Sequence, residues 1–341
     1  MNGYERIRAA LSGEWPDAVP VMLHNFMMAA REAGITMAQF RRNGREIARA
    51  LTEAVERYEY DGIVLDVDTV TLASAAGVPV DYPEHEPARA CGARLGSLAD
   101  VNTLQRVELR DSAAVQTWLE AADCLKQTFG DTVYLRGNCD QAPFSLAAMI
   151  RGTDAWLMDL LDPSRETESH KLLAFATDIT SQFVTLMAST GVHMVSNGDS
   201  VSGPDMVSPS LYRRCALPYE KAVISHAHRL NLPYVLHICG DAGLILSDMV
   251  QSGADGLELD YKTDVRVAHS VMKDRTVFIG NVDPSGVLAF GSVQDVERTT
   301  RSLLEAFADT PRFILNAGCA IPAETPESNL KAFITSARTF R

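Results

Sequence analysis

The chain has 341 residues, of which 46% are hydrophobic and 22% are charged, a composition typical of a globular protein with a full core. Its formal net charge of −13 argues against a surface that binds nucleic acid or an anionic membrane. No apolar run approaches the roughly 18 residues of a membrane span, and the first residues lack the apolar region of a secretory signal.

Eight short runs rich in Val, Ile and Leu recur along the chain, and each ends in polar or acidic residues. In chain order they cover residues 19–25, 62–68, 132–140, 192–199, 233–241, 255–260, 276–283 and 312–319. Runs of this length and composition are typical of strands that are buried on both faces of a parallel sheet.

Amphipathic helical segments lie before and between these runs. Apolar side chains three and four residues apart indicate helices at residues 4–13, 45–58, 210–230 and 293–309. Two longer connections, residues 69–110 and 141–191, are expected to form a loop and about two helices over one end of the sheet. Strands that alternate with helices build right-handed βαβ units.

Eight strands in a chain of this length predict a (β/α)8 barrel, an α/β fold in which residues 1–341 form a single domain. The main alternative is a doubly wound open sheet, which usually has fewer strands. The barrel is favoured because every run ends in groups able to bind a ligand, and the C-terminal ends of barrel strands converge on one mouth. These groups are His24 and Asn25, Asp66 and Asp68, Asn138 and Asp140, Asn197 and Asp199, His237 and Cys239, Glu258 and Asp260, Asn281 and Asp283, and Asn316 and Cys319.

Helix capping is the alternative explanation for about half of these residues, because Asn and Asp are preferred caps. Asn138, Asp140 and Asn197 are expected to position a cofactor or acceptor at the mouth. Asp199 is expected to act in catalysis as a proton acceptor. For these residues the capping alternative stays open, but it does not explain the histidine and the cysteines.

The stretch LHICGD places His237 and Cys239 two residues apart, so both side chains point to the same face of a strand. Cys319 ends the eighth run and Glu258 lies in the sixth, so a barrel would bring both to the same mouth. A His-Cys-Cys set with a carboxylate or an open fourth position is typical of a catalytic zinc site. The alternative is that these are ordinary buried strand residues.

A zinc site rich in thiolates is a poor generator of hydroxide. It is better suited to binding a thiol and presenting it as a nucleophilic thiolate. The site therefore predicts alkyl transfer to sulfur or another soft nucleophile, with Glu258 as a labile ligand, rather than hydrolysis.

These motifs resemble the uroporphyrinogen decarboxylase superfamily of (β/α)8 barrels, and within it the zinc-dependent methylcobamide methyltransferase branch, which includes methylcobamide:coenzyme M methyltransferases. The resemblance extends along nearly the whole chain and is most specific in HICGD (237–241) and GCAIPAETPESNL (318–330). It implies that His237, Cys239 and Cys319 bind Zn²⁺. By analogy with cobalamin-independent methionine synthase, it implies Glu258 as the fourth ligand.

The resemblance also implies methyl transfer between a methylcobalamin-carrying corrinoid protein and a small acceptor, which is a thiol or tetrahydrofolate. The reverse reaction, demethylation of a small donor, is an alternative. The chain has no Asp-x-His-x-x-Gly motif of corrinoid carriers, so a partner protein is expected to supply the corrinoid. A barrel that only binds a corrinoid or tetrapyrrole is a further alternative.

Tetrapyrrole decarboxylation is the alternative activity within the same superfamily. That branch holds substrate carboxylates with arginines just after the first strand. Here Arg31 is the only arginine near that strand end, and Arg41 and Arg42 come later. Several porphyrinogen carboxylates would require a stronger cationic pocket, so the methyltransferase is favoured.

Six cysteines are scattered without paired short spacing, which predicts a reducing, cytoplasmic location and no disulfide framework. They are Cys91, Cys124, Cys139, Cys215, Cys239 and Cys319. Cys139, Cys215, His226 and His228 are interpreted as packing or surface residues. The chain is expected to act as a monomer or homodimer, without a nucleic-acid or membrane partner.

Overall fold

A computed structural model describes residues 1–340 of the chain. Eight parallel strands form one sheet whose spatial order follows the chain, and a parallel bridge between Val21 and Leu315 joins its two edges. The (β/α)8 barrel predicted from the sequence is therefore confirmed. The strands are β1 (Met22–Leu23), β2 (Gly62–Leu65), β3 (Tyr134–Gln141), β4 (Met194–Gly198), β5 (Tyr234–Ile238), β6 (Gly256–Leu259), β7 (Val277–Val282) and β8 (Phe313–Ala317).

Fifteen α-helices within residues 1–340 surround the sheet and cover its ends. They are α1 (Gly3–Ser12), α2 (Phe26–Glu32), α3 (Met37–Phe40), α4 (Gly44–Tyr58), α5 (Thr71–Ala75), α6 (Ala113–Phe129), α7 (Pro143–Arg151), α8 (Thr153–Asp159), α9 (Glu166–Ala188), α10 (Pro209–Cys215), α11 (Leu217–Arg229), α12 (Leu246–Val250), α13 (Val265–Met272), α14 (Val293–Ala306) and α15 (Glu327–Thr339). Residues 1–340 contain no helix with both the length and the apolar character that a membrane span requires.

Shorter elements lie in the connections between strands and helices. They are the 3₁₀ turns Leu98–Thr103, Leu109–Asp111, Pro163–Arg165 and Ser200–Ser202, the π-helical turn Pro284–Ala289, and an antiparallel hairpin of Val80–Asp81 with Arg89–Ala90. The connection after β2, predicted as a loop, therefore contains α5, the hairpin and two 3₁₀ turns.

Two predicted helices are each divided in the structure. The segment 210–230 forms α10 and α11, which are separated at Ala216 because Pro218 has no N–H to continue the helical hydrogen bonds. The first helix predicted within 141–191 is divided into α7 and α8 at Gly152, whose φ of +85° is outside the helical region.

The N-terminal half of the barrel interior is apolar. It is filled by Ile7 and Ala10 of α1 together with Met22, Val64, Tyr134, Met194, Val235, Val277, Ile279 and Ile314. Helix α1 closes this end, and a Cβ atom at Gly62 would lie only 2.5 Å from Ile7 Cδ1. Residues two positions further along the same strand faces are polar, and they lead into the site described next. They include His24, Asp66, Arg136, His237 and Asn316.

Candidate metal centre

Three potential metal ligands come together at the C-terminal ends of β5 and β8. One ligand atom from each of His237, Cys239 and Cys319 lies within 4.8 Å of the others, and no other set of three or more His, Cys, Asp or Glu side chains in residues 1–340 is so arranged. All three side chains are partly buried. Residues far apart in the chain meet here because the strand ends converge, as the barrel predicts.

Glycines next to the cysteines permit this approach. Gly240 has a φ of +84°, and a Cβ atom there would lie 2.3 Å from the Asp205 carboxylate. A Cβ atom at Gly318, just before Cys319, would lie 2.5 Å from the Tyr261 amide nitrogen. A larger residue would strain the backbone at Gly240, where φ is positive, and would clash with backbone at Gly318.

The His237 ring is held in one orientation by the backbone. Its Nδ1 lies 3.0 Å from the carbonyl oxygen of Glu258 and donates to it, because a carbonyl can only accept. The other ring nitrogen, Nε2, lies 3.1 Å from Cys239 Sγ. This is how metal-binding histidines are commonly oriented, with one nitrogen anchored and the other directed at the metal position.

The Cys239 sulfur accepts hydrogen bonds that favour its thiolate form. The Cys319 thiol and Ser200 Oγ, which is 3.0 Å away, both donate to it. The Cys319 hydrogen bond, assisted by the His237 charge and opposed by burial, lowers the pKa of Cys239 to about 3. The shared hydrogen bond and burial raise the pKa of Cys319 well above its usual value.

The pKa of the His237 imidazole responds to the charge of the Cys239 sulfur. Burial acts to lower the pKa of His237, but the Cys239 sulfur and Glu258 together outweigh burial and raise that pKa to about 10. A thiolate, a second sulfur and an oriented imidazole form the kind of donor set that zinc binds in catalytic sites, with a fourth position left open. The residues present therefore fit a zinc ion.

The Glu258 side chain lies near the cluster of His237, Cys239 and Cys319 but is not part of it. Its carboxylate pairs with the Arg136 guanidinium, accepts a hydrogen bond of 3.2 Å from Asn316 Nδ2, and lies 4.0 Å from His24 Nδ1. Burial would raise the pKa of Glu258, but the nearby positive charges, that of Arg136 foremost, together outweigh burial and lower the pKa to about 2. The backbone of Glu258 already orients His237, and its role as fourth ligand stays a prediction.

Arg136 is the residue of this region that the sequence reasoning missed. Its side chain is 3% exposed, and its Nε and Nη1 atoms have no hydrogen-bond partner within residues 1–340. The sequence contained a signal for it, because a charged residue in the middle of an apolar strand needs a buried partner or a function. Arg136 also shares a strand face with Asn138, one of the predicted site residues. Nearby, His24 Nε2 pairs with Asp66 Oδ2 at 2.6 Å.

Asn197 and Asp199, at the end of β4, are fully buried. Asn197 Nδ2 donates to the carbonyl of Cys139, and its Oδ1 accepts from Tyr234 Oη at 2.8 Å. Asp199 Oδ1 accepts from the Ser145 amide at 2.7 Å. These contacts connect strand ends to one another and to α7, and the catalytic role of Asp199 stays a prediction.

Asp199 also forms a buried carboxyl pair with Glu220 of α11. Glu220 Oε2 accepts from Tyr212 Oη at 2.6 Å. Burial raises the pKa of Asp199 to about 6, although hydrogen bonds from Ser145 oppose it. Burial and the Asp199 charge raise the pKa of Glu220 well above its usual value.

Asn138 and Asp140, at the end of β3, also make specific local contacts. Asn138 Oδ1 accepts from Ser196 Oγ at 3.3 Å, and Asp140 Oδ2 accepts from the Leu72 amide at 2.7 Å. Asp140 has a φ of +58°, and burial raises its pKa well above the usual value. Their cofactor-binding role stays a prediction.

The residues interpreted as packing or surface groups lie away from the cluster. Cys139 and Cys215 are buried in the core. His226 Nε2 pairs with Thr185 Oγ1 at 2.7 Å, and His228 Nε2 with Asp255 at 2.8 Å. None of these four contributes to the metal cluster.

Comparison with known proteins gives relatives over most of the chain. A methylcobamide:CoM methyltransferase, MtbA of Methanosarcina mazei, is 28% identical over 287 residues, covering 80% of this chain and 82% of the relative. A uroporphyrinogen decarboxylase of Trichodesmium erythraeum is 27% identical over 345 residues, covering 96% and 94%.

Among solved structures, a methyltransferase from Methanosarcina mazei superposes with a TM-score of 0.90 at 22% identity, over 99% of this chain and 98% of the other. At this identity the match supports the barrel fold alone. Residues 2–340 match the uroporphyrinogen decarboxylase (URO-D) family. Because the match spans nearly the whole chain, the protein belongs to the uroporphyrinogen decarboxylase family.

Proposed function

We propose that the protein is a zinc-dependent methyltransferase that moves a methyl group between a corrinoid protein and a small thiol. The cluster of His237, Cys239 and Cys319 at the barrel mouth is the observation that supports this most directly. The methylcobamide:CoM methyltransferase relative supports the same reaction class. Tetrahydrofolate as acceptor, and the reverse transfer from a methylated donor, are alternatives that the same test separates.

Zinc held by these three residues would bind the acceptor sulfur at its fourth position and favour the thiolate form of that sulfur. The protein contributes orientation, because the Glu258 carbonyl fixes the His237 ring. Glu258 also contributes negative charge beside the site, and we propose its carboxylate as the fourth ligand that the acceptor displaces. Asp199 is proposed as a proton acceptor acting at the adjoining strand end.

The corrinoid is proposed to arrive on a partner protein. Residues 1–341 contain no corrinoid-carrier motif, and the two cysteine sulfurs lie at the C-terminal ends of the strands. A methyl-corrinoid would therefore approach from the mouth, where the βα connections can accommodate a large group. We propose that three residues hold the strand ends in place beside the path of the methyl-corrinoid and so position this cofactor. These residues are Asn138, Asp140 and Asn197.

The test combines metal analysis with a transfer assay. Freshly purified protein is expected to hold about one zinc per chain, and Cys319→Ala is expected to lose it. Cys91→Ala, which changes an exposed cysteine far from the cluster in sequence, is the matched control and should keep its zinc. Absence of metal from protein purified without chelators would exclude the proposal.

The transfer assay uses free methylcobalamin as the donor and follows its demethylation by absorbance. A panel of small thiols is compared with tetrahydrofolate as acceptor. Zinc-dependent demethylation with a thiol supports the proposal, and activity with tetrahydrofolate alone would favour the alternative acceptor. No demethylation with any acceptor, and no remethylation of cob(I)alamin by methylated thiols, would contradict methyl transfer.

Decarboxylation is a second candidate because a uroporphyrinogen decarboxylase is among the relatives. The arginines that follow β1 argue against it. Arg41 donates to the carbonyls of Pro83 and Glu86, and Arg31 donates to the carbonyl of Thr325. Incubation with uroporphyrinogen is expected to give no coproporphyrinogen, and its formation would establish the decarboxylase instead.

A further inference from the structure

A short turn after β4 lies directly against the metal cluster. Ser200–Ser202 form a 3₁₀ turn whose hydrogen bonds anchor it on both sides. The Asp199 amide donates to the carbonyl of His237 at 2.8 Å, and the Val201 amide donates to Ser145 Oγ at 3.0 Å. The turn is thereby tied to β5, which carries His237 and leads directly into Cys239, and to α7.

The packing of the next residue limits the movement of this turn. A Cβ atom at Gly203 would lie 3.0 Å from Ile238 Cγ2 and 3.1 Å from the carbonyl oxygen of Cys239. The turn therefore sits as close to β5 as a glycine allows. This holds the Ser200 hydroxyl in place to donate to Cys239 Sγ at 3.0 Å.

The second cysteine of the cluster has a donor of its own. The Ala320 amide donates to the Cys319 sulfur. Both protein sulfurs thus accept a hydrogen bond from a fixed group, one from a side chain and one from the backbone. A hydrogen bond to a charged acceptor is roughly twice as strong as one between neutral groups, so both bonds would strengthen when the sulfurs are thiolates.

We propose that Ser200 is a positioning residue that keeps Cys239 from being alkylated, so that the methyl group goes to the sulfur of the acceptor. This inference rests on the proposed function, in which three thiolates would surround one zinc and only the acceptor thiolate reacts. Donation from Ser200 withdraws electron density from Cys239 Sγ and occupies one of its lone pairs. A sulfur made less basic is also less nucleophilic.

The experiment uses zinc-loaded protein and methyl iodide as the probe, without corrinoid or acceptor. In the probed step a cysteine sulfur uses a lone pair to form an S–CH₃ bond while the C–I bond breaks and iodide leaves. Peptide mass mapping measures methylation separately at Cys239 and Cys319. Zinc content is measured in parallel for every variant.

The informative comparison is between Ser200→Val and Ser200→Thr, which have nearly the same shape but differ in the hydroxyl. Ser200→Val is expected to raise the methylation rate of Cys239 by about tenfold, the effect of losing one hydrogen bond to a charged group. Ser200→Thr is expected to keep the wild-type rate, and the rate at Cys319 should not change in either variant. Ser200→Ala removes the hydroxyl without added bulk and should behave like Ser200→Val.

Equal Cys239 rates in zinc-loaded wild type, Ser200→Val and Ser200→Ala would overturn the role of Ser200 and leave the proposed methyltransferase untouched. A parallel rise at Cys319 would also overturn it, since a general loosening of the site would then be the cause. If the metal analysis finds no zinc in purified wild-type protein, the proposed function is overturned, and this inference with it.

Discussion

Arg136 and Glu258 form an ion pair inside the barrel, where their side chains are only 3% and 1% exposed. The pair joins β3 to β6 across the interior, and Asn316 of β8 completes the contacts of the carboxylate. Because Glu258 also orients His237 through its backbone, the pair supports the candidate metal centre from within.

Removing one partner of this pair should destabilise the fold strongly. Arg136→Met leaves the buried Glu258 charge without its ion-pair partner, and we expect the free energy of unfolding to fall by about 3–5 kcal/mol. The double variant Arg136→Met/Glu258→Leu should recover most of that loss, because no buried charge remains.

Urea denaturation of the single and double variants measures these changes. Arg45→Ala is the control, since the Arg45–Glu120 pair is largely exposed and should contribute at most about 1 kcal/mol. A loss at Arg136 no larger than that of the control would show that the interior pair does not stabilise the barrel.

The carboxyl pair of Asp199 and Glu220 should make stability depend on pH. Both pKa values are raised in the folded protein, that of Asp199 to about 6, so the folded state binds more protons than the unfolded state above about pH 4. The stabilising contribution of protonating these two carboxyl groups is therefore fully present below their unfolded pKa values and is lost as pH rises through the folded ones.

Glu220→Gln tests this dependence, because an amide can donate to Asp199 without carrying charge. Between pH 5 and 8 the wild type should lose roughly 1–3 kcal/mol of stability relative to Glu220→Gln. Glu56→Gln, at an exposed position of α4, should leave the wild-type profile unchanged. Parallel pH profiles for wild type and Glu220→Gln would contradict the raised pKa of Glu220 in the folded protein.

The sequence predicted the barrel and the convergence of His237, Cys239 and Cys319 because both follow from periodicity. Short apolar runs define the strands, and alternation along a strand places residues two apart on one face. The apolar spacing predicted one helix over residues 210–230, although Pro218 is a signal in the sequence for the observed division, since proline cannot continue a helix.

The contacts between strands could not be predicted in this way. The pairing of Arg136 with Glu258 depends on how β3 faces β6 across the interior, and no local pattern specifies that. The hydrogen bond from Ser200 to Cys239 depends on the exact path of a single turn. Asp199 was recognised as a strand-end carboxylate, but its partner Glu220 lies on a helix and gave no signal of its own.

Asp61 should be important for closure of the barrel at its N-terminal end. Its buried carboxylate accepts from Arg6 Nη1 at 3.0 Å, Arg338 Nη1 at 2.7 Å and the Val21 amide at 2.8 Å. It thereby joins α1, α15 and the segment before β1. Asp61→Asn removes the charge from three hydrogen bonds. We therefore expect the free energy of unfolding, measured by heat or urea, to fall by about 2–3 kcal/mol.

Asp17→Asn is the matched control for Asp61→Asn, because Asp17 also pairs with Arg6 but is 45% exposed. Asp17→Asn should lower the free energy of unfolding by less than about 1 kcal/mol. Equal losses for the two variants would show that burial of Asp61 adds nothing to the ion pair.

Gly318 should control zinc affinity although it offers no ligand atom. A Cβ atom there would meet the backbone nitrogen of Tyr261 at 2.5 Å, and backbone cannot move aside as a flexible side chain can. Gly318→Ala is therefore expected to shift the chain that carries Cys319 relative to His237 and Cys239. Indirect disturbance of a metal ligand typically lowers affinity about 10–100-fold, and we expect a loss in that range.

Competition with a chromophoric chelator measures this loss directly, and circular dichroism shows whether Gly318→Ala keeps its fold. Gly96→Ala is the control, because nothing lies within 4 Å of the added Cβ atom and its zinc affinity should equal that of the wild type. A Gly318→Ala protein that binds zinc as tightly as the wild type would mean that Cys319 is not required at its observed position. In that case the close packing of Gly318 against Tyr261 would serve the fold and not the metal centre.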